Sequence, residues 1–387
     1  MRVLHVITGL GIGGAEQQLR LLLRHLPVRS RVVTLTNPGT VAEGIEADGT
    51  PVAHLGMTGN RDVGALPRLT RLIRQGGYDL VHTHLYRACV YGRPAARLAG
   101  VRPVIATEHS LGDAQIEGRP LSAGTRALYL ATERLGTSTV AVSPSVARRL
   151  ADWGVAPSRI RVVPNGIETG RFAFRPRART MTRAALGLPA DAFVVGGVGR
   201  LAAGKRFDRL VRAVASVPEA RLLLVGEGDR RAELLRIAAE CGAADRVLLP
   251  GAFPDPPEHP AGGRPDLPSL LAAMDVFVST SPDETFGLAV VEALAAGLPA
   301  LYVACPAIDD LPPGAAPGAR RIGESVPELV GALREAARAR AAGGPDRLPP
   351  PTAIRRYDIA HSAEQLLSLY QQAVHGPHPS ARTLPVK

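Results

Sequence analysis

Lysine is almost missing from this 387-residue chain: it stands only at Lys205 and Lys387, so the formal charge of +11 rests on arginine. Cysteine is scarce too, and Cys89, Cys241 and Cys305 are spaced for neither a disulfide framework nor a zinc site, which points to a cytoplasmic setting. No apolar run approaches the roughly 20 residues that a membrane span needs. The opening Met1-Arg2-Val3-Leu4-His5-Val6-Ile7-Thr8 reads as a first strand, too short for a signal-peptide core. Aromatic residues make up only 4% and do not interleave with the arginines, and no recognition-helix pattern occurs, so nucleic acid is not an expected partner. Asp-x-Asp is absent, which weighs against a metal-held sugar nucleotide, and so is Gly-x-Ser-x-Gly. Oligomeric state stays open.

What is present reads as a folded two-domain protein, with 45% apolar and 21% charged residues. Strands are expected at 2–8, 31–36, 80–82, 104–107 and 139–142, with helices between them, the first over 15–26. A second strand–helix series starts at 193–199 and continues with a helix over 207–217, strand 220–225, helix 230–241, strand 246–250 and strand 275–281. The pattern predicts an α/β fold of two doubly wound, Rossmann-like domains facing a central cleft. Expected boundaries are 1–170, an arginine- and proline-rich linker 171–190, 191–358, a helix 359–375 crossing back to the first domain, and a tail 376–387. Residues 254–268 read as a proline-rich surface loop.

The most informative stretch is Asp283-Glu284-Thr285-Phe286-Gly287-Leu288-Ala289-Val290-Val291-Glu292. It sets Glu284 at the mouth of a helix that follows a strand, beside amides that can bind an anion. Glu292 falls roughly 12 Å further along on a similar face. Two ordinary helix acids are the plain alternative, but Glu292 lies among Ala289–Ala296, where a buried carboxylate needs a partner. Gly199-Arg200-Leu201-Ala202-Ala203-Gly204-Lys205 ends the first strand of the second domain, and its two cations can clamp a diphosphate or merely be solvated. It is no Walker motif, because Arg206 stands where a magnesium-binding hydroxyl would be.

Gly226-Glu227-Gly228-Asp229 can shape a nucleotide pocket or simply start a helix capped by Asp229. Gly9-Leu10-Gly11-Ile12-Gly13-Gly14 contains Gly-x-Gly-x-x-Gly, yet the second strand ends in Thr36-Asn37-Pro38 rather than an acid, so a dinucleotide is disfavoured. Gly13 and Gly14 then either offer amides to a phosphate or serve a tight strand–helix turn. Glu108-His109-Ser110 ends a strand in the first domain, where His109 can donate to a sugar or be structural. His82-Thr83-His84 points two imidazoles one way; without a third ligand placed nearby no zinc is inferred.

Together Gly13-Gly14-Ala15-Glu16, Glu108-His109, Ser143-Pro144-Ser145, Pro164-Asn165-Gly166-Ile167, Gly199-Arg200 with Lys205, Gly226-Glu227-Gly228 and the Glu284/Glu292 pair resemble, over nearly the whole chain, the retaining glycosyltransferases of family 4 with the GT-B fold. The resemblance implies a catalytic set of His109, Glu284, Arg200 and Lys205. Arg200 and Lys205 would hold the donor diphosphate, Glu292 the ribose, and Glu284 the sugar hydroxyls with Thr285, Phe286, Gly287 and Leu288 beside it. Gly13, Gly14, Gly226 and Glu227 would complete the donor site, and His109 would touch the transferred sugar. It implies front-face substitution with retention, a nucleotide-sugar co-substrate, and no metal or cofactor.

The Cys305-Pro306-Ala307 segment is similar to the glycosyltransferases of aminoglycoside-antibiotic assembly. That likeness implies UDP-glucose or UDP-N-acetylglucosamine as donor and an aminocyclitol such as 2-deoxystreptamine as acceptor, met by His84, Glu108, Asp113 and Glu117. The alternative is a lipid-linked or glycan acceptor with a UDP- or GDP-sugar and peripheral membrane contact. Two departures stand out: residues 300–310 lack the glycine-rich acidic loop of many relatives, and 254–268 is longer than usual.

Overall fold

A computed structural model describes every residue except 60–61, 113–114, 118, 254–264 and 377–387, so Asp113, most of the proline-rich stretch and the expected tail lie outside the described residues. The chain divides into two compact units: unit 1 holds Met1–Val142, Val146–Val163 and Ala360–Lys387, and unit 2 holds Ser143–Ser145 and Pro164–Ile359. Each is built on a parallel sheet.

In unit 1 the strands are β1 (Arg2–Gly9), β2 (Arg29–Asn37), β3 (Val52–His54), β4 (Leu80–His84), β5 (Val104–Glu108), the short pair β6 (Gln115–Ile116) and β7 (Arg119–Pro120), then β8 (Ser138–Ala141) and β9 (Ile160–Val162). The main sheet runs β3-β2-β1-β4-β5-β8-β9. Val3, Leu4, Val6 and Ile7 of β1 are fully buried, as in a parallel sheet covered on both faces. Polar groups break that rule. His5, His82, Thr83 and His84 are also fully buried, and β1–β4 pairing sets His5 directly opposite His82.

Unit 2 contains β10 (Phe193–Val198), β11 (Ala220–Val225), β12 (Val247–Gly251), β13 (Val276–Ser279), β14 (Ala300–Tyr302) and β15 (Ala319–Arg321), in the order β12-β11-β10-β13-β14-β15. The expected linker contains the helix Pro176–Ala185 and belongs to unit 2. Two of its arginines are buried: Arg179 and Arg183 reach Asp275 at 2.6 and 2.8 Å, and Asp275 also accepts from the Val194 amide at 2.7 Å. Composition alone could not reveal that buried partner.

The helix Ile359–His375 returns its last sixteen residues to unit 1, where Tyr370 is fully buried. Among the described residues no helix is long and apolar enough to cross a membrane.

Candidate active site

In unit 2 the carboxyl ends of β11, β10 and β13 lie side by side, and their three following loops gather there, the usual ligand-binding position in an open parallel sheet. The loop after β10 carries Arg200, which is exposed, and Lys205, which is partly covered. It is fastened to the next loop: the Gly199 amide donates to the Val225 carbonyl at 3.0 Å and the Leu201 amide to the Glu227 carbonyl at 2.8 Å. A Cβ on Gly226 would lie 1.9 Å from the Gly199 carbonyl oxygen, so this glycine exists for backbone approach. Asp229 does not cap the next helix, whose N-cap is Arg230, and the exposed Glu227 pairs with Arg231 at 3.3 Å.

From the other side, Thr280 donates its hydroxyl to the Lys205 carbonyl at 2.7 Å. These bonds bring Lys205 Nζ to 2.5 Å from Glu284 Oε1, with the two side chains 33% and 15% exposed. The family resemblance implies separate duties for these residues, at diphosphate and sugar; here they form one ion pair at the strand ends. The helix that follows begins at Leu288, after Gly287 with φ +96°, so Glu284 sits in the turn preceding it. The Val290 and Val291 amides donate back to the Gly287 carbonyl at 3.0 and 3.3 Å, and amides ahead of them have no preceding helical carbonyl to bind.

The turn itself is held by residues of two quoted motifs, Ser143-Pro144-Ser145 and Cys305-Pro306-Ala307, which the sequence did not place there. Ser143 donates to the Thr285 carbonyl at 2.8 Å, and the Ala307 amide donates to the Phe286 carbonyl at 2.9 Å. Cys305 is buried with its thiol 3.4 Å from the same Phe286 oxygen, and burial pushes that thiol far above its ordinary range. Phe286 is buried against Tyr357, while Leu288 and Glu292 are half-buried on the short helix Leu288–Ala295.

In unit 1 the helix Gly14–His25 starts directly after β1, with extended Gly13 as its N-cap and Gly14 exposed. Asn37 accepts from the Gly39 amide at 2.9 Å, closing a turn where a dinucleotide site would need an acid. Glu108 and His109 part company. His109 Nε2 lies 3.2 Å from His84 Nδ1, and His84 Nε2 lies 3.1 Å from His5 Nδ1. Burial holds His5 down to about 3 and His109 to about 4, so both rings are neutral at neutral pH.

Glu108 instead accepts from the Ser110 amide and hydroxyl, within the electrostatic reach of Glu117 and Arg93. Burial pushes its carboxyl up to about 7, partly opposed by the Ser110 amide at 3.0 Å. Among the described residues Glu108 Oε2 and Glu117 Oε1 are buried without a hydrogen-bond partner. Glu117 holds a left-handed φ of 51° beside the β6–β7 turn. Such oxygens suit a cationic or hydroxyl-bearing ligand.

The third imidazole that the sequence did not place near His82 and His84 is His5; period-2 alternation on β1 beside β4 would have found it. The three offer nitrogens within 4.8 Å of one another. Nitrogens sharing one tetrahedral ion sit roughly 3.3 Å apart. His82 is also committed on both sides, to Tyr370 at 2.5 Å and Thr107 at 2.7 Å. The cluster is a hydrogen-bonded network first.

Residues 12–171 match the family model Glycosyltransferase Family 4, and 178–311 match Glycosyl transferases group 1. D-inositol 3-phosphate glycosyltransferase 1 of Catenulispora acidiphila is 31% identical, covering 85% of this chain and 82% of its own length. The match to 2-deoxystreptamine glucosyltransferase of Streptomyces kanamyceticus, 32% identical over 61% of this chain, spans 62% of that relative. That to D-inositol 3-phosphate glycosyltransferase of Acidothermus cellulolyticus, at 33% over 72% of this chain, spans 64%, so both fall short of two thirds of the relative's length. The crystal structure of HepE of Anabaena with UDP and glucose superposes with a TM-score of 0.80 at 23% identity, over 95% of this chain and 98% of that one, which shows the fold.

Proposed function

Because the chain belongs to glycosyltransferase family 4, we propose that it moves glucose or N-acetylglucosamine from a UDP-sugar to an aminocyclitol of the 2-deoxystreptamine kind, with retention at the anomeric carbon and without a metal. The Lys205–Glu284 pair carries the donor half of this reading. An arriving diphosphate competes for Lys205, assisted by Arg200 as a second cation, and releases Glu284 to accept from sugar hydroxyls. Phe286, Gly287 and Leu288 offer amides beside it, and Glu292 takes the ribose. The charge of the leaving diphosphate is met by cations and dipoles already in place. His109 contacts the transferred sugar. The acceptor hydroxyl attacks from the face that the nucleotide leaves, and the departing phosphate oxygen takes its proton. HepE, a protein of the same fold, holds UDP and glucose, which supports a UDP-sugar as donor.

Inositol phosphate and 2-deoxystreptamine, which the relatives' names cite, are both six-membered carbocyclic polyols of opposite charge. The buried oxygens of Glu108 and Glu117 favour the cation, although strand alternation turns Glu108 away from the His109 side. A phosphorylated cyclitol is the second reading, favoured by the chain's +11 charge and by the longer matches to inositol-phosphate relatives.

Product mass decides. Purified protein is mixed with 2-deoxystreptamine or D-inositol 3-phosphate, each with UDP-glucose, UDP-N-acetylglucosamine or GDP-mannose. One added hexose or N-acetylhexosamine on the aminocyclitol is expected. Addition only to the phosphate moves the assignment to the second reading. No addition in a preparation that binds UDP directs the search to lipid-linked or glycan acceptors.

A further inference from the structure

Three imidazoles in unit 1 are joined end to end. His109 Nε2 meets His84 Nδ1 at 3.2 Å, His84 Nε2 meets His5 Nδ1 at 3.1 Å, and His5 Nε2 reaches the Ser30 hydroxyl at 3.5 Å. His5 and His84 are fully buried and His109 is 7% exposed. Burial lowers the proton affinity of all three rings, so each carries a single N–H. One hydrogen must fill each ring-to-ring bond. If His84 donates through Nδ1, it must accept from His5 Nδ1–H, and His109 must carry its hydrogen on Nδ1. If His84 donates through Nε2, every ring carries its hydrogen on Nε2. Only these two arrangements satisfy both bonds. A mixed arrangement sets two lone pairs, or two N–H groups, against each other in a buried place.

We propose that His84 and His5 are positioning residues that fix the tautomer of His109, and so decide whether its outer nitrogen, Nδ1, presents a donor or an acceptor. The proposal rests on the reading of His109 as the residue against the transferred sugar. The second nitrogen of an imidazole sets what the first can do. His84 has no need to touch a substrate to act this way. His82 stands outside the chain, held by Tyr370 and Thr107.

Nitrogen-15 imidazole spectra of the intact protein at neutral pH test the arrangement without reference to activity. His5, His84 and His109 are expected to show one shared tautomer, all Nδ1–H or all Nε2–H. Mixed tautomers, or a protonated ring, overturn the proposal. Two substitutions test its consequence. In His84→Asn the amide retains a polar atom near the Nδ1 position, whereas His84→Phe keeps bulk and loses every hydrogen bond. A positioning role predicts that Phe lowers kcat by about tenfold or more, as tautomer loss does in hydrolytic triads, while Asn loses less and KM for the UDP-sugar stays within about twofold in both. A packing role gives the reverse order and overturns the proposal. Ser30→Ala, at the loose end of the chain, provides a mild folded control in which the shared tautomer is retained; its loss there counts against the two-bond scheme. Full turnover in His109→Ala would instead remove the sugar-contact reading, a failure that the spectra separate from that of the chain.

Discussion

Lys205 shows how little a residue's own chemistry says without its neighbours. Its position in an almost lysine-free sequence marked it, but the ion pair with Glu284 follows only from three loops meeting at adjacent strand ends. The pair is partly solvated, so it contributes little to stability. Lys205→Met is expected to lower kcat/KM on the order of a hundredfold while shifting the urea midpoint little; steady-state kinetics and urea unfolding check both. Glu284, Arg200 and His109 stand out in the sequence as polar residues at strand ends, but neither the pairing of Glu284 nor the burial of His109 could be read there. Glu108 was legible as a strand-end acid but not as a buried one. Its carboxyl at about 7 lies above the ordinary 4.5, so the folded form keeps a proton that the unfolded chain releases. Its contribution is greatest below about 4.5 and is lost as pH rises to about 7. Glu108→Gln is therefore expected to stabilise the protein above pH 7 by up to about 3 kcal/mol, measured by urea unfolding.

Elements were read well where apolar period and punctuation agreed, and poorly where polar residues proved to be structural. The strand 2–8 and the helix 207–217 match β1 and the helix Phe207–Ala215 closely. The helix Val326–Ala341 was passed over although Ser325 and Glu328 form a capping box, a signal present in the sequence. The misread linker is the sharper case. Asp275 is 4% exposed and faces Arg179, Arg183 and, at 3.4 Å, Arg340. Asp275→Asn leaves buried guanidinium charge without its counter-ion, and a loss of about 3–5 kcal/mol is expected in urea unfolding. Gly287 is tied to its place twice over: φ is +96°, and a Cβ would lie 2.5 Å from Cys305 Sγ. Gly287→Ala is expected to cost about 1–3 kcal/mol, and adding Cys305→Ala should recover only the share due to the clash, because the backbone strain remains. Thermal unfolding of the single and double variants checks the split.

At the scale of the molecule, alternating strands and helices disclosed two parallel α/β sheets, because long apolar strands and glycine-ended loops leave few other solutions. The buried imidazoles were not legible, since a histidine in a strand looks alike whether it faces water or three other rings. They govern acid behaviour. His5 and His109 fall to about 3 and about 4, and His82 and His84 lie well below 6.5. The unfolded chain gains protons below about 6.5 that the folded form refuses, so stability is full above that pH and is lost on acidification. Four such groups outweigh the opposite trend of Glu108. The urea midpoint is expected to fall between pH 6.5 and 4.5, and more steeply in Glu108→Gln.

The last helix carries one more consequence. Tyr370 lies 288 residues beyond His82, whose Nδ1 it meets, and everything from Pro164 to Ile359 belongs to the other unit. During synthesis, then, the unit that leaves the ribosome first is the one completed last. Its histidine cluster waits, without its tyrosine, until synthesis has passed residue 370, while the later unit has all its own strands earlier. A chaperone that lingers on nascent chains would meet this protein through its amino-terminal half.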